Sequence, residues 1–524
     1  MRPAMWRPPI EMSGAEQAIE QRIRRAKLFV FLRHERHRLF SDAFQEELGG
    51  MFRDSVFGQP PIPPAQLALA TILQAYTGVS DDEVIEATLM DRRWQLVLDC
   101  LDCSEAPFSK GTLVMFRQRL IAQDLDRRLI ERTVEIAKET GGFGSRPLRA
   151  ALDSSPLWGA GRVEDTYNLL GHALRKVLGV MARQRGYSLA QVARDAGAPM
   201  VAETSLKAAL DLNWDDPEER ALGLRRVLDA LESVEDWLAG PSGDLADPTA
   251  QASLGTAQQV KDQDVVIDAA GKATLRQGVA KDRRISVEDP EMRHGRKSRR
   301  QLFDGYKRHV LHDLDTGLVR AVGVTAANAP EASVTDDLRV DLARQDVTLV
   351  ALHIDRAYLS SSWVRERPPS LQIYCKAWSV HNGDHFPKTM FSLDWERRRI
   401  RCPQGNERPF EPGKVVHFPA DICAACPKRA QCTQSTRGRS LSIHPDEQLI
   451  WVLRQQQNTT DGRSKLRERV GVEHTLSHVG YWQGPRARYI GIRKNLLDLR
   501  RCAVVHNLSV ISHLPAPCVG SLTT

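Results

Sequence analysis

The most regular β pattern in the chain is FDGYKRHVLHDLDTGLVRAVGVT, residues 303–325. Residues 306–311 and 318–325 contain the β-branched and aromatic side chains that strands favour. The polar segment between them ends at Gly317, which suits the positive φ of a tight connection. The pattern therefore predicts a β-hairpin of two antiparallel strands.

Strand and helix patterns continue on both sides of this hairpin. A helix is predicted at 331–344, and further strands at 146–152, 347–354 and 371–377. The strand at 347–354 is a continuous β-rich run, as expected for a strand buried on both faces. It ends at Asp355, and the strand at 146–152 runs into Asp153. Strands combined with helices in this way indicate a mixed α/β sheet.

The size and charge of the chain limit the classes to which it can belong. It has 524 residues, enough for roughly two to four domains. No apolar run approaches the ~20 residues of a membrane span, and we expect no secretory leader. The formal net charge of +7 is compatible with a polyanionic partner.

Helical patterns dominate two further regions. Residues 1–145 contain short helices joined by turns and a dense basic run from Arg22 to Arg38. This region suits a compact DNA-binding module, and a helical packing or dimerisation domain is equally consistent with it. Residues 165–240 predict a helical insertion, followed at 240–255 by a linker rich in Gly, Pro, Ser and Ala.

Three acidic residues are candidates for a metal-dependent site. Asp153 and Asp355 are predicted at the carboxyl ends of strands, where sites form in open α/β sheets. Glu473 lies four residues after Arg469 in a predicted helix, so the two share one face. Carboxylates suit Mg²⁺, and an arginine suits a phosphate oxygen. The alternative is coincidence, because the chain has 66 acidic residues.

Four of the nine cysteines form a cluster in the sequence: Cys402, Cys423, Cys426 and Cys432. Without a secretory leader, a disulfide scaffold is disfavoured. Four thiolates suit a closed tetrahedral Zn²⁺ site, and four reduced thiols without metal are the alternative.

Two basic clusters flank the predicted strands and the helix of Glu473. Both suit contacts with a phosphate backbone, although solvated basic faces are common. The residues predicted to bind DNA are Arg293, Arg296, Lys297, Arg299, Lys307, Arg486, Arg488, Arg493 and Lys494.

Several sequence blocks occur in a set order along the chain. They are LDSSPLWGAG (152–161), RHGRKS (293–298) with FDGYK (303–307), HIDRAYL (353–359), Arg469-x3-Glu473 and a basic block that begins PRARY (485–489). Together they resemble the bacterial insertion-sequence transposases of the DDE class. Leu466 and Gly480 depart from the family pattern, which has a tyrosine and a lysine there. Basic residues between 486 and 494 would substitute for that lysine.

The resemblance implies an RNase H-like catalytic core that performs Mg²⁺-dependent strand cleavage and strand transfer. It implies that Asp153, Asp355 and Glu473 position two Mg²⁺ ions, for which Mn²⁺ substitutes, with Arg469 as a further catalytic residue. Water would cleave a phosphodiester at the element end, and the freed 3′-OH would attack target DNA. Structural Zn²⁺ at the cysteine cluster is also implied.

The same resemblance implies partners and a location. The partners are double-stranded DNA, both the terminal inverted repeats of the element and its target, and a second copy of the chain in a homodimer. No membrane is involved, and the location is the bacterial cytoplasm, at the nucleoid. Two alternatives remain open: a catalytically silent transposase-derived DNA-binding protein, and an RNase H-like nuclease that acts on structured DNA.

The predicted fold class is therefore α/β, an RNase H-like mixed sheet with three additions. These are a helical N-terminal domain, a helical insertion and a small cysteine-rich insertion. The predicted boundaries are 1–145 for the N-terminal DNA-binding or dimerisation domain, 146–164 and 256–377 for the first part of the core, 165–255 for the helical insertion and linker, 378–450 for the cysteine-rich insertion, 451–512 for the rest of the core, and 513–524 for a tail.

Overall fold

Helices make up much of the protein. The computed structural model describes residues 2–54, 57–140, 146–203, 205–240, 247–298 and 300–513. In chain order the helices are α1 (Gly14–Arg22), α2 (Lys27–Leu39), α3 (Asp42–Gly49), α4 (Pro64–Thr77), α5 (Asp81–Met90), α6 (Arg92–Leu98), α7 (Lys110–Ala122), α8 (Asp126–Glu139), α9 (Thr166–Arg185), α10 (Leu189–Asp195), α11 (Leu206–Leu210), α12 (Pro217–Ala239), α13 (Pro248–Asp264), α14 (Thr335–Ala343), α15 (Ser362–Arg365), α16 (Ala420–Ala424), α17 (Arg429–Cys432), α18 (Glu447–Asn458), α19 (Thr460–Glu468), α20 (Val470–Gln483) and α21 (Ile492–Ser512). None of these described helices is long and apolar enough to cross a membrane.

The strands form one main sheet and several small ones. In chain order they are β1 (Leu148–Trp158), β2 (Val265–Ile267), β3 (Ala273–Leu275), β4 (Arg293–Arg296), β5 (Leu302–Asp313), β6 (Val319–Ala326), β7 (Leu349–Ile354), β8 (Gln372–Tyr374), β9 (Ser392–Asp394), β10 (Arg399–Arg401), β11 (Glu407–Pro409), β12 (Val415–His417) and β13 (Ser440–Ser442). The main sheet contains β1 and β4 to β8. The predicted hairpin is present as β5 and β6, and Gly317 between them has a φ of 77°.

The main sheet is mixed, as predicted. β5 is antiparallel to β1 on one side and to β4 and β6 on the other. β1, β7 and β8 are parallel to one another. This arrangement, with helices around it, confirms the α/β fold class and an RNase H-like core with a helical N-terminal region.

The two faces of this sheet are covered by different helices. Ala151 and Tyr306 belong to the core that includes α20 and α21. Leu152 and Leu311 face the opposite way and pack with residues of α14, α15 and α18. Because side chains alternate along a strand, Asp153 lies on the same face as Ala151, toward α20.

β1 is longer than the sequence predicted. The predicted strand ended at Leu152, whereas β1 continues to Trp158 and so Asp153 lies within it. β1 pairs with β7 only up to Leu152, and beyond that point it pairs with β5 as far as Trp158. One side of the extension is therefore free of β7, which is why Pro156, with no N–H to donate, is tolerated there.

The helical insertion has its own hydrophobic core, formed mainly by α9 to α13. The predicted linker at 240–255 is partly wrong, because α13 begins at Pro248 with Asp247 as its N-cap. Small residues of α13, such as Ala250 and Ala257, are fully buried in this core. The two ends of the insertion meet where Thr166 Oγ1 donates a hydrogen bond of 2.8 Å to Asp264.

The N-terminal helices share one hydrophobic core with the sheet. This core joins Leu73 of α4 and Phe116 of α7 to Val310 of β5 and Val505 of α21. The long C-terminal helix α21 packs against α4, α8 and β6. The N-terminal region is therefore packed directly onto the RNase H-like core.

Buried polar side chains reinforce the contact between α21 and the N-terminal helices. Asp126 at the start of α8 is fully buried and accepts hydrogen bonds or ion pairs from Arg493 at 2.5 Å and Arg500 at 3.0 Å. Asn507 donates to Thr133 of α8 at 2.9 Å and also bonds to the backbone of Val319. The Asp126 carboxylate and the Asn507 amide thus have partners that compensate for their removal from water.

Candidate active site

Asp153 lies where the parallel pairing of β1 with β7 ends. Its carboxylate accepts a hydrogen bond of 2.8 Å from the Ser154 N–H and one of 2.5 Å from Arg469 Nη1. Burial raises the pKa of Asp153 above its usual value, and the charge of Asp355 adds to that rise, while Arg469 opposes it. The acid is therefore a partly desolvated carboxylate beside a second one.

Asp355 follows β7 directly, on the strand next to β1. Leu152 and Ile354 are partners in the sheet, so the residues that follow them, Asp153 within β1 and Asp355 after β7, lie at the same level. The Asp355 carboxylate accepts a hydrogen bond of 2.7 Å from the Arg356 N–H, and Asp355 is exposed. The sheet thus brings these two predicted residues together.

Arg469 connects the third acid to the first. α19 ends at Glu468 and α20 begins at Val470, so Arg469 lies at a helix junction and not inside one continuous helix. Its Nη2 donates to Glu473 Oε1 at 2.9 Å while Nη1 donates to Asp153. One guanidinium therefore contacts two of the three predicted acids.

All three acids and Arg469 line one open cavity of about 870 Å³, which we call the acid cavity. Basic residues line it as well: Arg296, Lys297, Lys307 and Arg308. Carboxylates surrounded by cations are suited to a phosphodiester, because the cations attract the phosphate and the carboxylates can hold divalent ions. The lining of the acid cavity comes from β1, β4, β5 and α20, from segments that adjoin them, and from Asp355 directly after β7.

The oxygen donors of the acid cavity fit a hard cation such as Mg²⁺ in chemical type. Within the described residues, however, no three His, Cys, Asp or Glu side chains are grouped closely enough to hold an ion. Arg469 supplies the positive charge between Asp153 and Glu473 instead. The three carboxylates that could bind a metal ion therefore line one cavity, and the Arg469 guanidinium lies between Asp153 and Glu473.

Arg308 is a residue of this cavity that was not among the predicted site residues. It lies on β5, is largely buried, and donates to Ser155 Oγ at 2.8 Å and Gln483 Oε1 at 3.1 Å. A Cβ placed on Gly480 would lie 3.2 Å from its Nη2. The cation beside Gly480 is thus Arg308, and not one of the basic residues between 486 and 494 that were expected to replace the missing lysine.

A buried pair of polar side chains lies close to the two aspartates. His309 Nδ1 and the Tyr358 hydroxyl are 2.8 Å apart, and His309 Nε2 lies 3.0 Å from Thr325 Oγ1. Burial lowers the pKa of His309 to about 3, so the imidazole is neutral. Burial also raises the pKa of Tyr358 well above its usual value, with Asp153 and Asp355 among the contributing charges.

Three of the predicted DNA-binding residues line the acid cavity: Arg296, Lys297 and Lys307. Arg296 and Lys297 are exposed, which leaves them accessible to a ligand. Lys307 donates to the Ala329 carbonyl at 2.9 Å and lies 3.8 Å from Glu331. Arg299 was predicted with them and lies outside the described residues.

Two other predicted DNA-binding residues are engaged in ion pairs away from the cavity. Arg293 pairs with Asp282 at 2.8 Å, and its side chain is mostly buried. Arg493 pairs with Asp126 at 2.5 Å and so joins α21 to α8. Both contacts hold elements of the fold together.

The last three predicted DNA-binding residues lie in and after the loop between α20 and α21. Arg486 Nε donates to the Gly159 carbonyl at 3.0 Å, and Arg488 Nη2 donates to the Val79 carbonyl at 2.5 Å. Lys494 is exposed. Arg486 and Arg488 thus have structural contacts, and Lys494 faces solvent.

The basic run of the N-terminal region also divides into buried and exposed members. Arg33 pairs with Glu16 at 2.7 Å, and Arg36 donates to the carbonyls of Leu96 and Val97. Burial lowers the pKa of Arg36 to about 10. The exposed members of the run lie around the turn between α1 and α2: Arg22, Arg24, Arg25 and Lys27.

The four clustered cysteines line one small pocket of about 30 Å³ in the cysteine-rich region. Burial raises the pKa of the Cys432 thiol, and the other three cysteines add to that rise. Four thiols have the donor chemistry of a Zn²⁺ site. Over the described ranges they nevertheless do not form a group placed to hold an ion, so zinc at this cluster stays a prediction.

Three family models match the chain. Two are described as Transposase DDE domain and match residues 261–375 and 401–512. The third is described as Transposase domain (DUF772) and matches residues 17–119. No curated protein and no solved structure matches the chain.

These matches include three of the four residues that converge on the acid cavity. Asp355 lies in the first DDE match, and Arg469 and Glu473 lie in the second, whereas Asp153 lies outside both. The mixed sheet and the three domain matches identify the class of the protein as the DDE transposases. These are phosphoryl-transfer nucleases whose substrate is DNA. This chain is an insertion-sequence transposase of that class.

Proposed function

We propose that this transposase binds the ends of its insertion element and catalyses Mg²⁺-dependent strand cleavage and strand transfer by direct transesterification. The observation that carries the proposal is the acid cavity, where Asp153, Asp355 and Glu473 from separate elements meet. Asp153 comes from within β1, Asp355 from the end of β7, and Glu473 from α20. Three acids that meet in one cavity are expected for a phosphoryl-transfer site and not for acids scattered by chance over the surface.

Asp153, Asp355 and Glu473 are the residues that would hold two Mg²⁺ ions, or Mn²⁺ in their place. When bound, a pair of such ions activates the attacking oxygen and stabilises the leaving one. Arg469 orients Asp153 and Glu473 through its two hydrogen bonds and carries a positive charge beside them. A planar guanidinium in that position can bind a phosphate oxygen as well.

The basic residues of the acid cavity would bind the DNA backbone near the reacting phosphodiester. Arg296 and Lys297 reach it from β4 and the turn that follows, and Lys307 from β5. Arg308 is buried between β1, β5 and the end of α20, so it positions the cavity wall. We further propose a homodimer in the active complex, with one DNA end bound by each copy.

The proposal is tested by replacing Asp153 with Asn and using DNA that flanks the reading frame as substrate. We expect strand cleavage and transfer to be lost while end binding remains measurable. Because the pKa of Asp153 is raised in the folded protein, the protonated carboxyl group favours the folded state. This stabilisation is present at low pH and is lost as the pH rises through the raised pKa. At neutral pH Asn therefore removes no stabilising charge, and the variant should fold.

Asp262→Asn is the matched control, because Asp262 is exposed on α13 and away from the acid cavity. It should cleave and join DNA as the unchanged protein does. Full strand transfer by Asp153→Asn would refute the assignment. Cleavage of branched DNA without joining would indicate a nuclease instead.

A further inference from the structure

A second cavity of about 310 Å³ adjoins the acid cavity. Asp355 and Arg469 line both, so the two cavities meet at these side chains. The rest of this second cavity is lined by β7, β8, the segments that follow these strands, and α19. The residues are His353, Ile354, Arg356, Tyr374, Lys376 and Leu466. We call it the flanking cavity.

His353 is the buried polar side chain in the wall of the flanking cavity. It is 1% exposed, and its ring stacks on Tyr374 with centroids 4.6 Å apart. Neither ring nitrogen has a hydrogen-bond partner in the part of the chain that the structure describes. The Glu468 carboxylate lies 3.8 Å from Nε2, and the Lys465 carbonyl is close to the ring without forming a well-aligned hydrogen bond. A buried group without a partner is costly, which points to a ligand that completes it.

The ring of His353 has two nitrogens, and at least one of them carries an N–H in either protonation state. A neutral imidazole carries one N–H donor and one acceptor nitrogen. Glu468 does not leave a free negative charge behind the ring, since it pairs with Arg149 and, at 3.0 Å, with Lys465. An N–H of His353 is therefore available to donate a hydrogen bond to an anion.

Two exposed cations add to the flanking cavity. Arg356 and Lys376 line it, and within the described residues neither side chain forms an ion pair. Asp355 is the one acid in the lining, and Arg469 is shared with Asp153 and Glu473. The lining thus has more positive than negative charge, which favours an anion.

We infer that the flanking cavity binds a phosphate of the nucleic-acid strand whose neighbouring phosphodiester lies in the acid cavity. Arg356 and Lys376 neutralise the phosphate, and His353 donates a hydrogen bond to one of its oxygens. A strand that crosses Asp355 passes from one cavity into the other, so the phosphate fixes the register of the strand. The inference rests on the proposed function of the acid cavity.

Inorganic phosphate tests the cavity without any DNA. At constant ionic strength, phosphate at about ten times its Kd should raise the Tm of the unchanged protein by ~1–2 °C. The double variant Arg356→Gln/Lys376→Gln should lose most of that rise. The control Arg194→Gln/Arg226→Gln also removes two exposed cations, from α10 and α12, and should keep it. Equal rises in all three proteins would overturn the inference.

Methylphosphonate substitution tests the register on DNA. In duplexes from the DNA that flanks the reading frame, the phosphates on each side of the cut are replaced singly by an uncharged methylphosphonate. At one of the two positions, the unchanged protein should bind about tenfold more weakly, and the double variant should be insensitive to that change. The double variant should also have a salt slope smaller by about 1.

The same loss in both proteins at both positions would overturn the inference. Failure of the proposed function is recognised separately, because the unchanged protein would then cut no flanking DNA at all. In that case the phosphate titration still decides whether the flanking cavity binds an anion.

Discussion

Arg469 donates one hydrogen bond to Asp153 and another to Glu473, so a single side chain sets the distance between two acids. The sequence placed Arg469 and Glu473 on one helix face, and that pair is present. The contact with Asp153, 316 residues away, was beyond the reach of local spacing. Only the packing of α20 against β1 and β5 brings it about.

Replacing Arg469 with Gln should reduce the rate of strand cleavage by about tenfold to a hundredfold, as expected for the loss of a charged hydrogen bond. It should also raise the pKa of Asp153 further, because the charge that opposes burial is removed. The acid limb of the pH–rate profile should therefore move to higher pH. Arg469→Lys keeps the charge but not the planar fork, so an intermediate rate is expected.

Arg467→Gln is the control for this experiment, since Arg467 is exposed two residues away. Its pH–rate profile should match that of the unchanged protein. An unchanged acid limb in Arg469→Gln would show that Arg469 does not act on Asp153.

Arg308 illustrates what the sequence left ambiguous at the scale of single residues. It is one of several cations in a basic stretch, and nothing local distinguishes it from Arg293 or Lys307. Its place against Gly480 depends on the register of β1 and β5, which pairs Ser155 with Arg308. Register is a tertiary property, so exposed and buried cations looked alike in the sequence.

At the scale of elements, the hairpin β5–β6 was predictable because its turn and its β-rich flanks agree with the final fold. The extension of β1 was not, because Ser154, Ser155 and Pro156 have little preference for strands. They are held in extended form by pairing with β5. Helix α13 was also partly missed, since its buried face uses small residues that resemble a linker.

The contact between α8 and α21 gives a prediction about stability. Asp126→Asn should lower the free energy of unfolding by about 1.5–3 kcal/mol, because it removes the buried carboxylate shared by Arg493 and Arg500, whose other carboxylate partners remain. Urea unfolding followed by circular dichroism measures the change. Asp42→Asn is the control, because the Arg7–Asp42 pair is exposed and should contribute under about 1 kcal/mol. Similar losses in both variants would contradict this account.

At the scale of the whole molecule, the shared core means that the N-terminal helices are not a detachable module. The sequence correctly indicated a helical region there, but composition could not reveal that it packs onto the sheet. Its hydrophobic residues join those of β5 and α21 in one cluster, whereas the helical insertion has a cluster mostly of its own. Deletions should therefore have unequal effects.

Removal of residues 1–145 should abolish cooperative unfolding of the remaining chain, because the cover of α21 is lost. Replacement of residues 167–263 by a short linker should leave a folded core, since Thr166 and Asp264 are in contact. Differential scanning calorimetry distinguishes the two results. A sharp transition in the first deletion, or none in the second, would show that the cores are divided differently.

The position of α21 also affects how the protein is made. Helices α4 and α8 leave the ribosome well before α21, the helix that covers them. At about 5–20 residues per second, the growing chain carries uncovered apolar faces for roughly tens of seconds. Until α21 has been synthesised, a nascent transposase therefore depends on chaperones or on partial collapse, and a stop codon before α21 yields a chain that cannot cover these faces.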